Sequence, residues 1–233
     1  MLNKQEKRLT EKTIKNWVIT GSKGNVGTAL VEKLTAGRIR VFGIDYGTEQ
    51  QVDEVNQFYT YLEADLTAIE DVQRVFSEIQ IRVDSIHVWI NAVGGFAIGT
   101  TIEDTTAADW SRMMLLNFQT ALNCSRVILQ HMKENEYGHI INFGSMAAEQ
   151  GMAAASPYTV SKAAVMALTK TTALEGKNHG IFCNAIVPTI IDTLQNRAAM
   201  LDADFSTWTT PTAIANEIIS VVNSERNGEM IYV

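Results

Sequence analysis

The chain has 233 residues, 46% of them hydrophobic, and a formal net charge of −7, which suits one domain with a sizeable core. The acidic balance and the lack of a cationic run argue against a nucleic-acid partner. No stretch reaches the roughly 18 apolar residues of a membrane span, so no membrane association is expected.

Residues 1–13 are polar and charged, with no apolar core of a secretory signal, and read as an N-terminal arm ahead of a single domain at 14–233. Cys124 and Cys183 fall in predicted core elements and are expected to be reduced thiols of a cytoplasmic protein. His87, His131, His139 and His179 are scattered and no CxxC pair occurs, so no metal site is expected.

A short β-prone run, 16–20, enters three glycines spaced three apart, Gly21, Gly24 and Gly27. A helical pattern over 26–36 follows, with Lys23, Asn25 and Val26 inside the same turn. Strand, glycine loop and helix are what a dinucleotide pyrophosphate needs: backbone can approach closely, and helix N–H groups meet the anion. Gly37 ends the helix, and a second strand, 39–44, runs into Asp45. Asp45 lies 45 − 27 = 18 residues past the last glycine. That is near the roughly 20-residue offset of the acid that binds an adenosine ribose diol, and a carboxylate there favours NAD(H) over NADP(H).

Helix 49–55, strand 58–62, helix 68–80 and strand 86–91 come next, then a long helix 107–134. Strand 139–144, helix 156–178, strand 181–187, helices 191–200 and 211–223, and strand 229–232 complete the pattern. Alternating strands and helices predict a single doubly wound α/β domain of the Rossmann type. Its seven-stranded, mostly parallel sheet is flanked by helices. Polar or small residues follow each apolar run: Thr20-Gly21, Asp45, Asp65, Asn91-Ala92-Val93-Gly94, Gly144-Ser145 and Pro188-Thr189. They gather at the carboxyl ends of the strands, where such sheets bind ligands.

Tyr158 and Lys162 stand four apart on one helix face, with Ser145 thirteen residues before the tyrosine. A phenol has an ordinary pKa of roughly 10. A fixed cation beside it favours the phenolate and suits it to proton transfer.

With these residues in hand, the chain resembles the short-chain dehydrogenase/reductase family from Ile14 to Val233. The resemblance is carried by Thr20-Gly21-Ser-Lys-Gly24-Asn-Val-Gly27, Asp65-Leu66, Asn91-Ala92-Val-Gly94, Asn117 in Leu115-Leu-Asn-Phe, and Ser145, Tyr158 and Lys162. Asn184-Ala-Ile-Val-Pro188-Thr-Ile-Ile191-Asp-Thr193 is similar to the family's nicotinamide-contacting segment. The resemblance implies an NAD(H)-dependent oxidoreductase, with NADP(H) as the other cofactor. It would transfer hydride to or from a carbonyl or secondary alcohol of a small, largely apolar substrate.

In that reading Tyr158 is the general acid or base, and Ser145 hydrogen-bonds the substrate oxygen. Lys162 lowers the Tyr158 pKa and binds ribose hydroxyls, and Asn117 holds a relay water. The cofactor would lie against Gly21, Lys23, Gly24, Asn25, Val26, Gly27, Asp45, Asp65, Leu66, Asn91, Ala92, Gly94, Tyr158, Lys162, Pro188, Ile191 and Thr193.

The Gly-x-x-Gly-x-x-Gly spacing leans towards dihydropteridine reductase-like members, and a non-catalytic NAD-binding sensor or scaffold is the alternative from another class. Phe96, Ile98, Met146, Met152, Ile190, Leu194 and Trp208 are candidates for the substrate pocket wall. The helices 107–134 and 156–178 are those the family packs across subunits. Met113, Met114, Leu122, Val165, Met166 and Leu168 are read as their outer faces, implying a homodimer or homotetramer.

Overall fold

The computed structural model describes residues 16–47 and 57–233. The N-terminal arm and the predicted helix 49–55 lie outside the described residues. Among the described residues, the strands are β1 (Asn16–Thr20), β2 (Arg40–Asp45), β3 (Tyr59–Glu63), β4 (Val88–Asn91), β5 (Gly138–Phe143), β6 (Ile181–Val187) and β7 (Met230–Tyr232). They form one sheet in the order β3-β2-β1-β4-β5-β6-β7, and every pairing is parallel. The strand order therefore reverses between β1 and β4, and a crevice opens there at the carboxyl edge.

The helices are α1 (Asn25–Ala36), α2 (Ile69–Gln80), α3 (Ala107–Met113), α4 (Thr120–Asn135), the short α5 (Ala147–Gln150), α6 (Ser156–Gly176), α7 (Leu194–Ala199) and α8 (Pro211–Val222). Each strand sends alternate residues to opposite faces of the sheet. Val18, Phe42, Trp89, Ile140 and Cys183 pack against α2 and α4 through Val72, Val75, Ile79, Cys124 and Ile128. Trp17, Ile19, Val88, Ile90 and Ile141 pack against α1 and α8 through Leu30, Leu34, Ile214, Ile218 and Val221. Both faces are covered, which is why these strands read as apolar runs without alternation.

The structure departs from the sequence reading in three places. The single helix expected over 107–134 is interrupted by a π-helical turn, Met114–Gln119, between α3 and α4. The helix expected over 191–200 starts only at Leu194, because Ile191 bridges to Thr209 and the Thr193 hydroxyl caps the next turn by accepting the Asn196 N–H. Met113, Val165 and Met166 are not on an outer face: all three are buried within the subunit. The exposed apolar residues of α6 are instead Val160 and Leu174. No described helix is long and apolar enough to cross a membrane.

Candidate active site

The glycine loop is shaped by contacts that leave no room for side chains. Gly21 has a positive φ of 66°, and a Cβ there would sit 3.2 Å from the Ala92 backbone. A Cβ on Gly27 would fall 2.1 Å from the Gly21 carbonyl oxygen, so only glycine lets α1 start so close to the loop. The Thr20 hydroxyl donates to the Ile90 carbonyl at 3.2 Å and accepts the Ala92 N–H at 3.1 Å, tying the loop to the end of β4. Asn25 opens α1, whereas the Val26 side chain is buried in the core, so only its backbone faces the loop.

Asp45 ends β2 beside this loop. Its carboxylate accepts the Lys23 N–H at 3.0 Å on one oxygen and the Tyr46 N–H at 3.1 Å on the other. The Lys23 ammonium lies over the Tyr61 ring, 4.1 Å from its centroid.

Gly21, Gly24, Asp45, Asp65, Leu66, Ala92 and Gly94 line one cavity of about 520 Å³. The loop after β3 is held by its own polar groups. Asp65 accepts the Thr67 N–H at 2.9 Å, and Asp71 accepts the Asp65 N–H at 2.9 Å. That second contact is the chief reason the Asp71 carboxyl sits below the usual carboxylate range.

Asn91 does not face the cavity. Its side chain accepts the Trp89 indole N–H at 2.9 Å and donates to Asn142 at 2.8 Å, inside the sheet. The wall is made by the residues that follow it, Ala92, Val93 and Gly94.

Asn117 lies within the π-helical turn, a distortion that frequently marks functional sites. Its amide pairs with the Gly95 backbone in both directions, accepting N–H at 2.9 Å and donating to the carbonyl at 3.1 Å. It also donates to the Ser161 hydroxyl at 3.0 Å, and Ser161 donates to the Tyr158 carbonyl at 2.7 Å. The Asn117 side chain is thus a clamp between the turn after β4 and the first turn of α6. Gly94 sits between the two polar heads: a Cβ there would lie 2.7 Å from Asn117 Oδ1 and 3.3 Å from Lys162 Nζ.

Ser145, Tyr158 and Lys162 come together at the ends of β5 and α6. Ser145 is buried, its hydroxyl accepting the Ala147 N–H at 3.2 Å. The Lys162 ammonium is buried and donates to the Phe143 carbonyl at 3.0 Å. Burial pushes its pKa down to about 8. Burial pushes the Tyr158 phenol up, and a hydrogen bond with Ser145 pulls it partly back. Desolvation is the larger of these two influences on the phenol.

Pro188 follows β6, and its carbonyl accepts the Met146 N–H at 3.3 Å. Pro188, Ile191 and Thr193 are not among the cavity's lining residues. Of the candidate pocket wall, Phe96 packs edge-on against Tyr158 with centroids 4.8 Å apart, while Ile98, Met152, Ile190 and Leu194 are exposed. Trp208 is buried, and Met146 packs against the small core of Met166, Ala185 and Val187.

Ser161, Leu116 and Thr120 were not singled out in the sequence. The spacing of Ser161, three past Tyr158, was a usable signal, because it shares that residue's helix face. Leu116 lies in the π-helical turn and Thr120 directly after it, and both line the cavity.

One parallel sheet, covered by helices on both faces, thus carries a glycine loop at its switch point with a serine, a tyrosine and a lysine near it. The family model for short chain dehydrogenase matches residues 15–203, and the chain belongs to the short-chain dehydrogenase/reductase family. Among curated relatives, it is 32% identical to galactitol 2-dehydrogenase of Rhizobium johnstonii over 186 residues, 76% of this chain and 71% of that protein. It is 31% identical to 3-alpha-(or 20-beta)-hydroxysteroid dehydrogenase of Mycobacterium bovis over 179 residues, 76% of this chain and 68% of that protein. Among solved structures, NADP-bound ElxO superposes with a TM-score of 0.87 at 22% identity, covering 95% of this chain and 97% of ElxO. NAD+-bound xylitol dehydrogenase superposes with a TM-score of 0.86 at 20% identity, covering 95% of this chain and 99% of that one.

Proposed function

We propose that the crevice binds a nicotinamide dinucleotide, NAD(H) ahead of NADP(H), and that the protein transfers hydride to or from a carbonyl or secondary alcohol of a small, largely apolar substrate. The observation that carries this reading is the convergence of Ser145, Tyr158 and Lys162 beside the glycine-lined cavity. The residues present fit such a cofactor. Glycine positions that admit no Cβ leave backbone for a pyrophosphate, and Asp45 and Asp65 sit on the adenosine side of the same cavity. When bound, the nicotinamide supplies or accepts the hydride.

The chain's own part is proton transfer and orientation. Tyr158 gives a proton to the carbonyl oxygen in reduction and takes one from the hydroxyl in oxidation. Its raised pKa keeps the phenol protonated, the form that reduction starts from. Ser145 hydrogen-bonds the same substrate oxygen, where negative charge develops. Lys162, mostly charged below pH 8, would hold the cofactor ribose hydroxyls, and a cation beside the phenol would favour proton release. Asn117 holds the Gly94–Gly95 turn against Lys162.

The exposed rings and chains of Phe96, Ile98 and Met152 support an apolar substrate. Asp192 and Arg197, in the segment after β6, pair with each other at 2.5 and 2.7 Å. The test is a fluorescence titration with NADH and NADPH followed by a carbonyl screen. Tight binding without oxidation of NADH by any carbonyl would favour the sensor reading.

Asp45→Ala tests the cofactor preference. A carboxylate repels a 2′-phosphate, so its loss is expected to move the NADH/NADPH affinity ratio towards NADPH by about tenfold or more, read by the same titration. An unmoved ratio would leave Asp45 as a residue that only caps the Lys23 and Tyr46 N–H groups.

We also infer a homodimer or homotetramer, supported by exposed Leu115, Val160 and Leu174 around α6. Light scattering at micromolar concentration is expected to return a multiple of the chain mass, and a monomer would overturn the inference.

A further inference from the structure

Asn123 is almost fully buried, at 1% exposure, in the first turn of α4. A buried polar side chain needs partners, and this one has three. Its Nδ2 donates to the Leu66 carbonyl at 3.0 Å and to the Thr67 carbonyl at 3.0 Å. Its Oδ1 accepts Nε2 of Gln119 at 2.8 Å. The two carbonyls fix which way the amide faces, because both are acceptors and require the NH2 there, which leaves Oδ1 for the Gln119 donor.

Leu66 and Thr67 line the cavity directly after Asp65. With their carbonyls drawn back onto α4, this loop has its backbone held from behind, as the Asp45 carbonyl holds Ala64 N–H at 3.0 Å on the other flank.

The same helical run thus grips the cavity wall twice. Asn117 clamps Gly95 and Asn123 clamps Leu66 and Thr67. In a straight α-helix, two positions six apart stand roughly 120° from each other around the axis. The π-helical turn over Met114–Gln119 does not bring the two positions onto one face. The asparagines therefore reach different loops, Asn117 the Gly95 turn and Asn123 the Leu66–Thr67 loop, and the cavity beside those loops is lined by Leu116 and Thr120 from the same stretch.

We propose that Asn123, oriented by Gln119, is a positioning residue for the adenosine half of the bound dinucleotide, acting through the backbone of Leu66 and Thr67. It touches no substrate or reacting atom. The proposal rests on the dinucleotide reading of the crevice, and its experiment separates the two.

Wild type, Asn123→Leu and Gln119→Leu are titrated calorimetrically with NADH, ADP-ribose and reduced nicotinamide mononucleotide. Wild type that binds neither NADH nor NADPH overturns the dinucleotide reading, and Asn123's role falls with it, before any variant is compared. With NADH bound by wild type, Asn123→Leu is expected to weaken ADP-ribose by about tenfold, the scale of losing a pair of neutral hydrogen bonds, and to leave the mononucleotide unchanged. Gln119→Leu, which leaves the Asn123 amide in place but frees its rotation, is expected to show a smaller loss in the same direction.

Undiminished ADP-ribose affinity in folded Asn123→Leu overturns the proposal. Equal loss of both fragments also overturns it, because general loosening of the fold would not distinguish one end of the cavity from the other. If Asn123→Leu does not fold, Gln119→Leu decides: full ADP-ribose affinity there rejects the role.

Discussion

Tyr158→Phe is expected to lower turnover by about 10²- to 10⁴-fold, the range that positioned proton transfer contributes, while NADH affinity stays within error of wild type. The change removes one oxygen and keeps the ring, so the edge-on contact with Phe96 survives and the α6 helix is undisturbed. What disappears is the phenol proton on which the proposed mechanism depends, together with the hydrogen bond to Ser145. Single-turnover oxidation of bound NADH by a carbonyl measures the first quantity, and fluorescence titration the second. Unchanged turnover would remove Tyr158 from the chemistry. Lost NADH binding would mean that the hydroxyl holds the cofactor rather than moving a proton.

Lys162→Met is expected to stabilise the fold while abolishing turnover. The lysine is buried with the Phe143 carbonyl as its hydrogen-bond acceptor, and its pKa falls from 10.5 to about 8. The unfolded chain keeps that proton up to about pH 10.5, whereas the native state releases it near pH 8. Between those values the unfolded state binds more protons, so wild-type stability gains from this residue as pH rises. Below pH 8 both states are protonated, and the native state bears the cost of a buried charge, of order 3 kcal/mol for such a shift. Methionine fills similar space without charge, and recovers that cost less the lost contact with Phe143.

Urea unfolding of both proteins from pH 6 to 10 measures the effect. The difference between them should be largest at pH 6 to 7 and shrink as pH climbs above 8. Taking that difference also removes the buried thiols of Cys124 and Cys183, whose raised pKa values work in the opposite sense. A variant less stable than wild type at pH 7 would show that the ammonium is compensated in the native state.

The strands and the crevice were legible because each depends on local pattern. Apolar runs such as Val88–Asn91 have no polar residue until the sheet ends, and the glycines at 21, 24 and 27 announce a loop that tolerates no Cβ. What escaped was direction and phase. The sequence puts Asn91 at a strand end, but its amide turns inward to Trp89 and Asn142, a matter of rotamer and sheet parity.

The π-helical turn inside 107–134 has no residue that breaks a helix, so it appears only in three dimensions, as does the place of Leu116 and Thr120 in the cavity lining. Met113, Val165 and Met166 read as outward because a helix covered on two sides carries apolar residues around most of its circumference. The balance at Tyr158 likewise depends on how deeply the phenol is buried, which the four-residue spacing to Lys162 does not encode.

The all-parallel pairing has a consequence for how the crevice comes into being. β1 lies between β2 and β4, and its register with β4 sets Trp17 beside Val88 and Thr20 beside Asn91. The glycine loop rests against Ala92 and Val93, so its shape is incomplete until a segment about seventy residues further along the chain has docked. Closing so long a loop costs entropy before any contact rewards it, and parallel pairing leaves no hairpin to begin from. The crevice is therefore complete only once β4 has docked on β1. A nascent chain that has emerged only as far as α1 carries the glycine motif without the backbone surface that moulds it.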